Sequence, residues 1–240
     1  MRLYQEDLAY IQGAGFGGLA RGAAPEIVRL LRGAGARRVV DVGCGAGPLS
    51  RELIDAGFEV TGIDASAELL RIAQSGVPEA RFIHGSAYDV EMPDCEAIVA
   101  VGEPLTYHDG AEGDARVASF FRKASQVLPP GGMLIFDVIE AGEPSLAGRF
   151  WTSSEDWVVL AETAEDQQAR MLVRRIETFR RVGETYRRGR EEHRVRLFDA
   201  GELEAWLAEC GFSTATAQAY GEQKLPPRRR AFFATLKHHA

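Results

Sequence analysis

Three glycines at alternate positions, Gly43, Gly45 and Gly47, follow a short apolar segment and precede a helix that begins at Pro48. A turn of this composition lets a ligand contact the main chain, because no Cβ intervenes. Open α/β sheets bind ligands at the carboxyl ends of their strands, where such a turn lies. The spacing is G-x-G-x-G, whereas the dinucleotide fingerprint G-x-G-x-x-G would require a glycine in place of Pro48. The segment therefore favours a ligand other than a dinucleotide.

The elements that must position this turn alternate between helix and strand over the first 140 residues. Apolar segments predict strands near 38–42, 58–64, 81–84, 97–101 and 132–138. Helices are predicted from Pro25, over 48–56, after an N-cap at Ser66, and over 114–128. Strands separated by helices of this length pair in parallel through right-handed crossovers, so we expect a doubly wound α/β sheet.

The pattern changes after residue 150, where three strand-like segments between 157 and 198 are separated by short polar turns. They predict an antiparallel meander laid over one end of the sheet. A capping box at Asp199 and Glu202 then begins a helix. Two final strands near 213–220 and 230–237 complete the sheet, and the run KLPPRRR before the last strand is interpreted as a solvated turn.

The glycine segment VVDVGCGAG resembles motif I of the class I S-adenosylmethionine-dependent methyltransferases. Further segments match the family in the expected order: GIDAS at the end of strand two, HGSAYD after strand three, VGEPLTYH after strand four and LPPGGMLIFD before strand five. One departure is Ser86, which stands where the family commonly has an aspartate. The resemblance implies a seven-stranded Rossmann-like methyltransferase sheet with an antiparallel β meander inserted after strand five.

The resemblance also implies the organisation of the chain. We expect one domain over 1–240, with an N-terminal flap over 1–24 and a cofactor-binding core over 25–140. An antiparallel substrate lid over 150–198 and a C-terminal helix with the last two strands over 199–240 follow.

The implied cofactor is S-adenosyl-L-methionine, with S-adenosyl-L-homocysteine as product. Asp64 matches the carboxylate that holds both ribose hydroxyls in the family, and Asp41 matches the acid that orders the glycine turn. Aromatic residues of the flap would cover the cofactor. The predicted cofactor-binding residues are Tyr10, Phe16, Asp41, Gly43, Cys44, Gly45, Asp64, Ala65, Leu69, Gly85, Ser86, Ala87, Val101, Gly102 and Glu103.

The acceptor half of the site has no diagnostic motif. Tyr107 and His108 follow strand four, where the family's pocket opens onto the substrate, and His193 lies on the meander. These three residues are the catalytic candidates. The absence of an N-P-P-Y-like tetrapeptide after strand four tells against the subclasses that methylate base or amide nitrogens, and a small-molecule acceptor is favoured. Whether nitrogen, oxygen or carbon is methylated stays open.

Charge and composition exclude other classes of partner. The formal net charge is −7, which tells against nucleic acid and anionic membranes. Ten arginines lie between 170 and 196, but interleaved glutamates indicate a solvated face of the meander. The three cysteines match no zinc spacing, so no metal is expected. With no secretory signal at its start, the chain is expected to be cytoplasmic, as a monomer or homodimer.

The sequence thus predicts a methyltransferase that acts on a small molecule. Two alternatives remain open. One is a non-catalytic module that keeps the fold and binds the cofactor or a partner. The other is a nicotinamide-dependent oxidoreductase, which Pro48 disfavours.

Overall fold

The computed structural model describes residues 3–107 and 113–238 of the 240-residue chain. The strands are β1 Arg38–Val42, β2 Glu59–Asp64, β3 Arg81–His84, β4 Ala97–Ala100, β5 Met133–Ile139, β6 Gly148–Ser153, β7 Trp157–Asp166, β8 Met171–Val182, β9 Thr185–Arg196, β10 Phe212–Ala217, β11 Ala219–Tyr220, β12 Gln223–Lys224 and β13 Arg229–Leu236. The helices are α1 Glu6–Gly15, α2 Gly18–Gly33, α3 Pro48–Asp55, α4 Ala67–Gly76, α5 Gly113–Val127 and α6 Ala200–Glu209.

Seven strands form the central sheet in the order β10-β13-β5-β4-β1-β2-β3. The five strands from β1 to β5 pair in parallel, whereas β13 runs antiparallel to both β5 and β10. The chain order reverses between β1 and β4, and open sheets bind ligands at such a reversal. The turn that carries the three glycines follows β1 directly. The predicted doubly wound, seven-stranded sheet is confirmed.

The sheet is covered on both faces, as its near-continuous apolar strands require. Every residue of β4 and β5 is buried. One face packs against α5 and α6 through aromatic side chains, among them the stacked rings of Phe136 and Phe232, 4.8 Å apart. The other face packs against α2 through Ile27 and Leu31. This core fixes the strand ends from which the loops after β1, β2 and β4 emerge.

A second, four-stranded antiparallel sheet in the order β6-β7-β8-β9 follows β5 and is called the lid sheet below. The predicted meander is confirmed, but the sequence indicated three strands and missed β6. Five of the six residues of β6 are exposed, so this edge strand lacks the apolar alternation that marks a strand. Two bridges, Tyr107 with Val195 and Glu140 with Phe198, join the chain at and just after β9 to the carboxyl edge of the central sheet.

Two predicted helix starts are confirmed by their caps. The Ser66 hydroxyl accepts a hydrogen bond from the Leu69 amide at 3.2 Å. The Asp199 carboxylate accepts one from the Glu202 amide at 3.0 Å. A third start was wrong, because α2 begins at Gly18 and holds Pro25 in its interior. Proline is favoured in a first turn but tolerated further in when tertiary packing compensates for the lost hydrogen bond, and Ala23, Ala24, Ile27 and Leu31 of α2 are buried.

The interpretation of residues 224–230 as a solvated turn was right only in part, because Lys224, Pro226 and Pro227 are exposed but Arg228 is buried. The Arg228 side chain is 5% exposed and pairs at 2.8 Å with Glu165, itself 1% exposed. Arg229 is also largely buried and pairs with Glu103. Guanidinium groups stay buried where carboxylates pair with them, and both acids lie far away in the sequence. None of the helices in the described ranges is long and apolar enough to cross a membrane.

Candidate functional site

A cavity of about 820 Å³ opens at the carboxyl ends of β1, β2 and β4. It is called the large cavity below. Residues from the turn after β1, from the lid sheet and from the segment before α1 share its wall. Predicted site residues that line it are Phe16, Asp41, Gly43, Cys44, Gly45, Asp64, Ala65, Leu69, Gly85, Ser86, Ala87, Val101, Gly102, Glu103 and Tyr107. The fold thus brings most of the predicted residues to one place.

The glycine turn (43–47) has three left-handed residues, with φ of +65° at Gly43, +56° at Gly45 and +83° at Gly47. A Cβ at Gly43 would lie 2.2 Å from the Cβ of Pro104. A Cβ at Gly45 would meet no protein atom within 4 Å. The protein itself therefore excludes a side chain at Gly43, whereas at Gly45 the space above the main chain belongs to the cavity.

Asp64, the last residue of β2, is held by the main chain. One carboxylate oxygen accepts a hydrogen bond from the Gly45 amide at 2.9 Å, and the other accepts one from the Ser66 amide at 2.8 Å. Burial raises the pKa of this carboxyl despite those bonds. Each carboxylate oxygen can accept further hydrogen bonds, so Asp64 can still accept from two hydroxyls of a ligand.

Asp41 lies in β1 beneath the glycine turn and is almost wholly buried. The Ser50 hydroxyl donates to it at 2.6 Å. Burial raises the pKa of Asp41 to about 7, an effect that the nearby Asp64 carboxylate reinforces. Since Ser50 lies on α3, this bond ties the strand before the turn to the helix after it.

The far wall of the large cavity holds a buried polar cluster centred on Glu103. The Glu103 carboxylate pairs with the guanidinium groups of Arg174 on β8 and Arg229 on β13. Burial alone would raise the pKa of Glu103, but the two arginines outweigh it and lower that pKa. The Tyr107 hydroxyl donates to the same carboxylate at 3.3 Å. Glu103 is therefore an ionised anchor that two cations already occupy.

Asp137 supports this cluster from β5. Its carboxylate accepts hydrogen bonds from the amides of Gly102 and Glu103 at 2.8 and 3.1 Å, and one from the Tyr220 hydroxyl at 3.0 Å. These bonds fix the turn after β4, in which Glu103 adopts a left-handed φ of +65°. Burial raises the pKa of Asp137. The sequence showed only an acid at the end of an apolar strand.

Tyr4, Arg174 and Arg229 also line the large cavity, and none of them was predicted from the sequence. For Arg174 a signal existed, because it lies two residues after Leu172, a buried residue of the same strand, and alternate residues share a face. No comparable pattern marked Tyr4. Its hydroxyl lies 3.1 Å from that of Tyr107, a pairing of residues 103 positions apart.

Two predicted residues do not line the large cavity. The His193 ring is buried behind those of Tyr4 and Tyr107, with centroids 5.0 and 5.8 Å away, and its Nε2 lies 2.9 Å from a Glu191 oxygen. The Tyr10 hydroxyl donates to Asp156 at 2.6 Å, and its ring lies under the guanidinium of Arg180. His193 is thus placed to support the two tyrosines. Tyr10 instead fastens α1 to the lid sheet.

The third catalytic candidate, His108, lies outside the described residues. Among the residues that the structure does describe, no three His, Cys, Asp or Glu side chains are placed to share a metal ion.

The main chain before α1 is fastened over the cavity by Glu191. Its carboxylate accepts hydrogen bonds from the amides of Tyr4 and Gln5 at 2.7 and 2.8 Å. The Ser66 hydroxyl donates to the Tyr4 carbonyl at 2.8 Å. One lid-sheet carboxylate therefore holds both the N-terminal segment and His193.

Known proteins resemble this chain in both sequence and fold. A protein-family model described as methyltransferase domain matches residues 39–132. The putative methyltransferase YqeM of Bacillus subtilis (strain 168) is 30% identical over 210 residues, which cover 83% of this chain and 84% of that protein.

Two solved structures share the fold. An S-adenosylmethionine-dependent methyltransferase from Clostridium acetobutylicum ATCC 824 superposes with a TM-score of 0.80 at 19% identity, over 96% of this chain and 98% of that one. An amino pentose methyltransferase from Micromonospora echinaspora, solved with S-adenosylmethionine bound, gives 0.72 at 19% identity over 98% of both chains. At these identities the structures bear on the fold, whereas the long sequence match bears on the family.

Proposed function

This chain belongs to the class I S-adenosylmethionine-dependent methyltransferases, and from that premise we propose that it methylates a small-molecule acceptor by in-line displacement. The observation that carries the proposal is the shared cavity. The glycine turn and Asp64 form one wall, and Tyr107 and Arg174 form another. Cofactor and acceptor would therefore meet inside one volume. Its size, about 820 Å³, lies in the upper part of the ~300–1,000 Å³ range of small-molecule sites.

The residues of the glycine turn fit the cofactor. The open space above Gly45 admits a ligand against the main chain, and the Asp64 carboxylate beside it keeps acceptor capacity for vicinal hydroxyls. Gly85, Ser86 and Ala87 line the same cavity after β3 and would border the adenine. When bound, S-adenosylmethionine supplies a methyl group activated on a sulfonium. The protein itself would hold the cofactor, orient it towards the acceptor and shield both from water.

The acceptor would lie between the far wall and the lid sheet. Phe150, Ala161, Thr163 and Arg174 of the lid sheet line the large cavity, so this sheet forms its roof. Small-molecule acceptors are also supported by the structural neighbour that acts on an amino pentose. Alignment of donor and acceptor contributes up to ~7–11 kcal/mol to such reactions, and the rigid cluster around Glu103 is suited to provide it.

On the far wall of the large cavity, none of the described residues is an unengaged general base. Glu103 is occupied by two guanidinium groups, and His193 lies behind the tyrosines. Burial raises the pKa of Tyr107, which keeps this hydroxyl protonated near neutral pH. We therefore assign Tyr107 and His193 to positioning, and an acceptor that needs no deprotonation by the protein fits the site.

The test is turnover of S-adenosylmethionine. Purified protein is incubated with the cofactor and a panel of small amines, alcohols, phenols and carboxylates, and S-adenosylhomocysteine and methylated product are measured by mass spectrometry. Methylated product that depends on Asp64 would support the proposal. Cofactor binding without product from any acceptor would instead favour the non-catalytic module.

A further inference from the structure

A second cavity of about 210 Å³ adjoins the large one and is called the small cavity. Four residues line both cavities and so form the boundary between them: Thr163, Arg174, Pro226 and Arg229. The rest of the small cavity is apolar, and its remaining lining consists of Ile139, Leu146, Leu172 and Pro227. The side chains of Arg174 and Arg229 therefore lie at the boundary between the large cavity and an otherwise apolar small cavity.

Each of these guanidinium groups has N–H donors that bond to none of the described residues. Nη1 of Arg174 donates to Glu103 and, at 3.4 Å, to the Tyr107 hydroxyl, but Nε and Nη2 bond to none of the described residues. Arg229 uses Nη2 on Glu103 and has Nε 3.6 Å from Asp137, which leaves Nη1 without a partner in the same ranges. Nε and Nη2 of Arg174 and Nη1 of Arg229 are therefore unpaired within the described ranges but accessible to solvent. Since both side chains line the two cavities, these donors are available to a ligand there.

We propose that Arg174 and Arg229 bind a carboxylate of the acceptor and that the small cavity takes an apolar group attached to it. This assignment rests on the proposed methyltransferase function and names the class of its substrate. The acceptor is then an amphipathic organic acid, with its carboxylate at the boundary of the two cavities.

The chemistry of the donors favours this class over others. A guanidinium presents paired N–H groups that match the two oxygens of a carboxylate, and such charge-assisted pairs are stronger than neutral hydrogen bonds. A cationic group at the same place would face two arginines. A neutral amide could use only part of the donor set. The apolar recess adds affinity in proportion to the hydrocarbon area that it removes from water.

Direct titration tests the proposal with probes that differ in one group at a time. Hexanoate, hexanamide, hexylamine, hexyl phosphate and acetate are titrated by calorimetry into the protein, with and without saturating S-adenosylhomocysteine. We expect hexanoate to bind at least about tenfold more tightly than hexanamide or hexylamine. Acetate, which lacks the apolar group, should bind more weakly than hexanoate.

Matched variants locate the site. Arg174→Met should remove the preference for hexanoate over hexanamide. Arg175→Met removes the same charge from the next residue of β8, whose side chain is 61% exposed, and should preserve the preference. Leu146→Trp should weaken hexanoate while leaving acetate unchanged. If Arg174→Met does not fold, Arg174→Lys keeps the charge without the planar fork and should reduce the preference.

Each contrary result has a definite meaning. Equal binding of hexanoate and hexanamide, a preference that survives in the folded Arg174 variant, or stronger binding of hexyl phosphate would overturn the carboxylate assignment. Parallel titration with S-adenosylmethionine distinguishes failure of the proposed function from failure of the carboxylate assignment. Failure of that cofactor to bind contradicts the proposed function, whereas cofactor binding without a carboxylate preference contradicts this inference alone.

Discussion

The carboxylate of Asp64 accepts a hydrogen bond from the main-chain amide of Gly45, so the end of β2 is joined directly to the turn that follows β1. This contact places an acid beside the one glycine of the turn whose Cβ would enter the large cavity instead of the protein. The binding wall is therefore set before any ligand arrives. Preorganisation of this kind lowers the ordering cost of binding.

Alanine at two glycines of the turn should separate folding from binding. Gly43→Ala drives a Cβ into Pro104 and should destabilise the ligand-free protein by roughly 2–4 kcal/mol, from overpacking and left-handed strain. Gly45→Ala carries only the left-handed strain of about 1–2 kcal/mol but should weaken cofactor binding. Urea denaturation and calorimetry measure the two effects. Normal cofactor affinity in Gly45→Ala would show that no ligand approaches this residue.

Glu191 should hold the N-terminal segment in place over the large cavity. The amides of Tyr4 and Gln5 bond to different oxygens of Glu191, and Glu191→Gln replaces one of these oxygens by an NH₂ group. One amide then loses its acceptor, so we expect faster hydrogen exchange in this segment and weaker cofactor binding. Loss of one such buried acceptor costs roughly 1–3 kcal/mol. The control is Glu192→Gln, at a neighbouring side chain that is 43% exposed. Unchanged exchange at Tyr4 and Gln5 would contradict this role.

Asp41 should make stability depend on pH. Burial raises its pKa from the ordinary 3.8 to about 7 in the folded protein, so between these values the folded state binds more protons than the unfolded state. The contribution of Asp41 to the free energy of unfolding is therefore largest at low pH and is lost as pH rises towards 7.

Asp41→Asn should remove that loss. The unfolding free energy of the variant minus that of the wild type should therefore increase by a few kcal/mol as pH rises from 4 to 8. Urea denaturation across this range provides the measurement. Asp55→Asn makes the same change at a side chain that is 60% exposed and serves as the control. Parallel curves for wild type and Asp41→Asn would refute the assignment.

Tyr107 should affect turnover more than cofactor affinity. Its hydroxyl contacts Tyr4, Glu103 and Arg174, all on the far wall of the large cavity. Tyr107→Phe should lower kcat with the acceptor found in the panel, while cofactor affinity stays within about 1 kcal/mol. Tyr186→Phe, at a side chain on the outer part of the lid sheet, is the control. A large loss of cofactor affinity in Tyr107→Phe would move this residue to the cofactor side.

The sheet and the cavity wall formed by the glycine turn and Asp64 could be predicted from the sequence because both depend on local patterns. The apolar strand before Gly43 and the apolar strand that ends in Asp64 can each be recognised without reference to the rest of the chain. The far wall depends on contacts between distant residues. The pairs of Glu103 with Arg174 and Arg229 join a loop to two strands that are 71 and 126 residues away. Alternation with Leu172 indicates that Arg174 lies on the inner face of its strand, but no local pattern specifies that it pairs with Glu103.

At Gly43, too, the sequence did not show which contact excludes a side chain. Alternate glycines indicated a ligand against the whole turn, but the structure assigns Gly43 to the contact with Pro104, a residue of the loop after β4. Composition alone does not distinguish a side chain excluded by the protein from one excluded by a ligand. Only the packed loop makes the distinction.

We propose that S-adenosylmethionine binds at the glycine turn with its ribose hydroxyls on Asp64. Calorimetric titration of the cofactor into wild type, Asp64→Asn and the exposed control Asp55→Asn tests it most directly. We predict that wild type and Asp55→Asn bind alike and that Asp64→Asn binds roughly 10- to 100-fold more weakly, since hydrogen bonds to a charged group contribute about 1.5–3 kcal/mol. No binding to the wild type, or equal affinity in Asp64→Asn, would contradict the account.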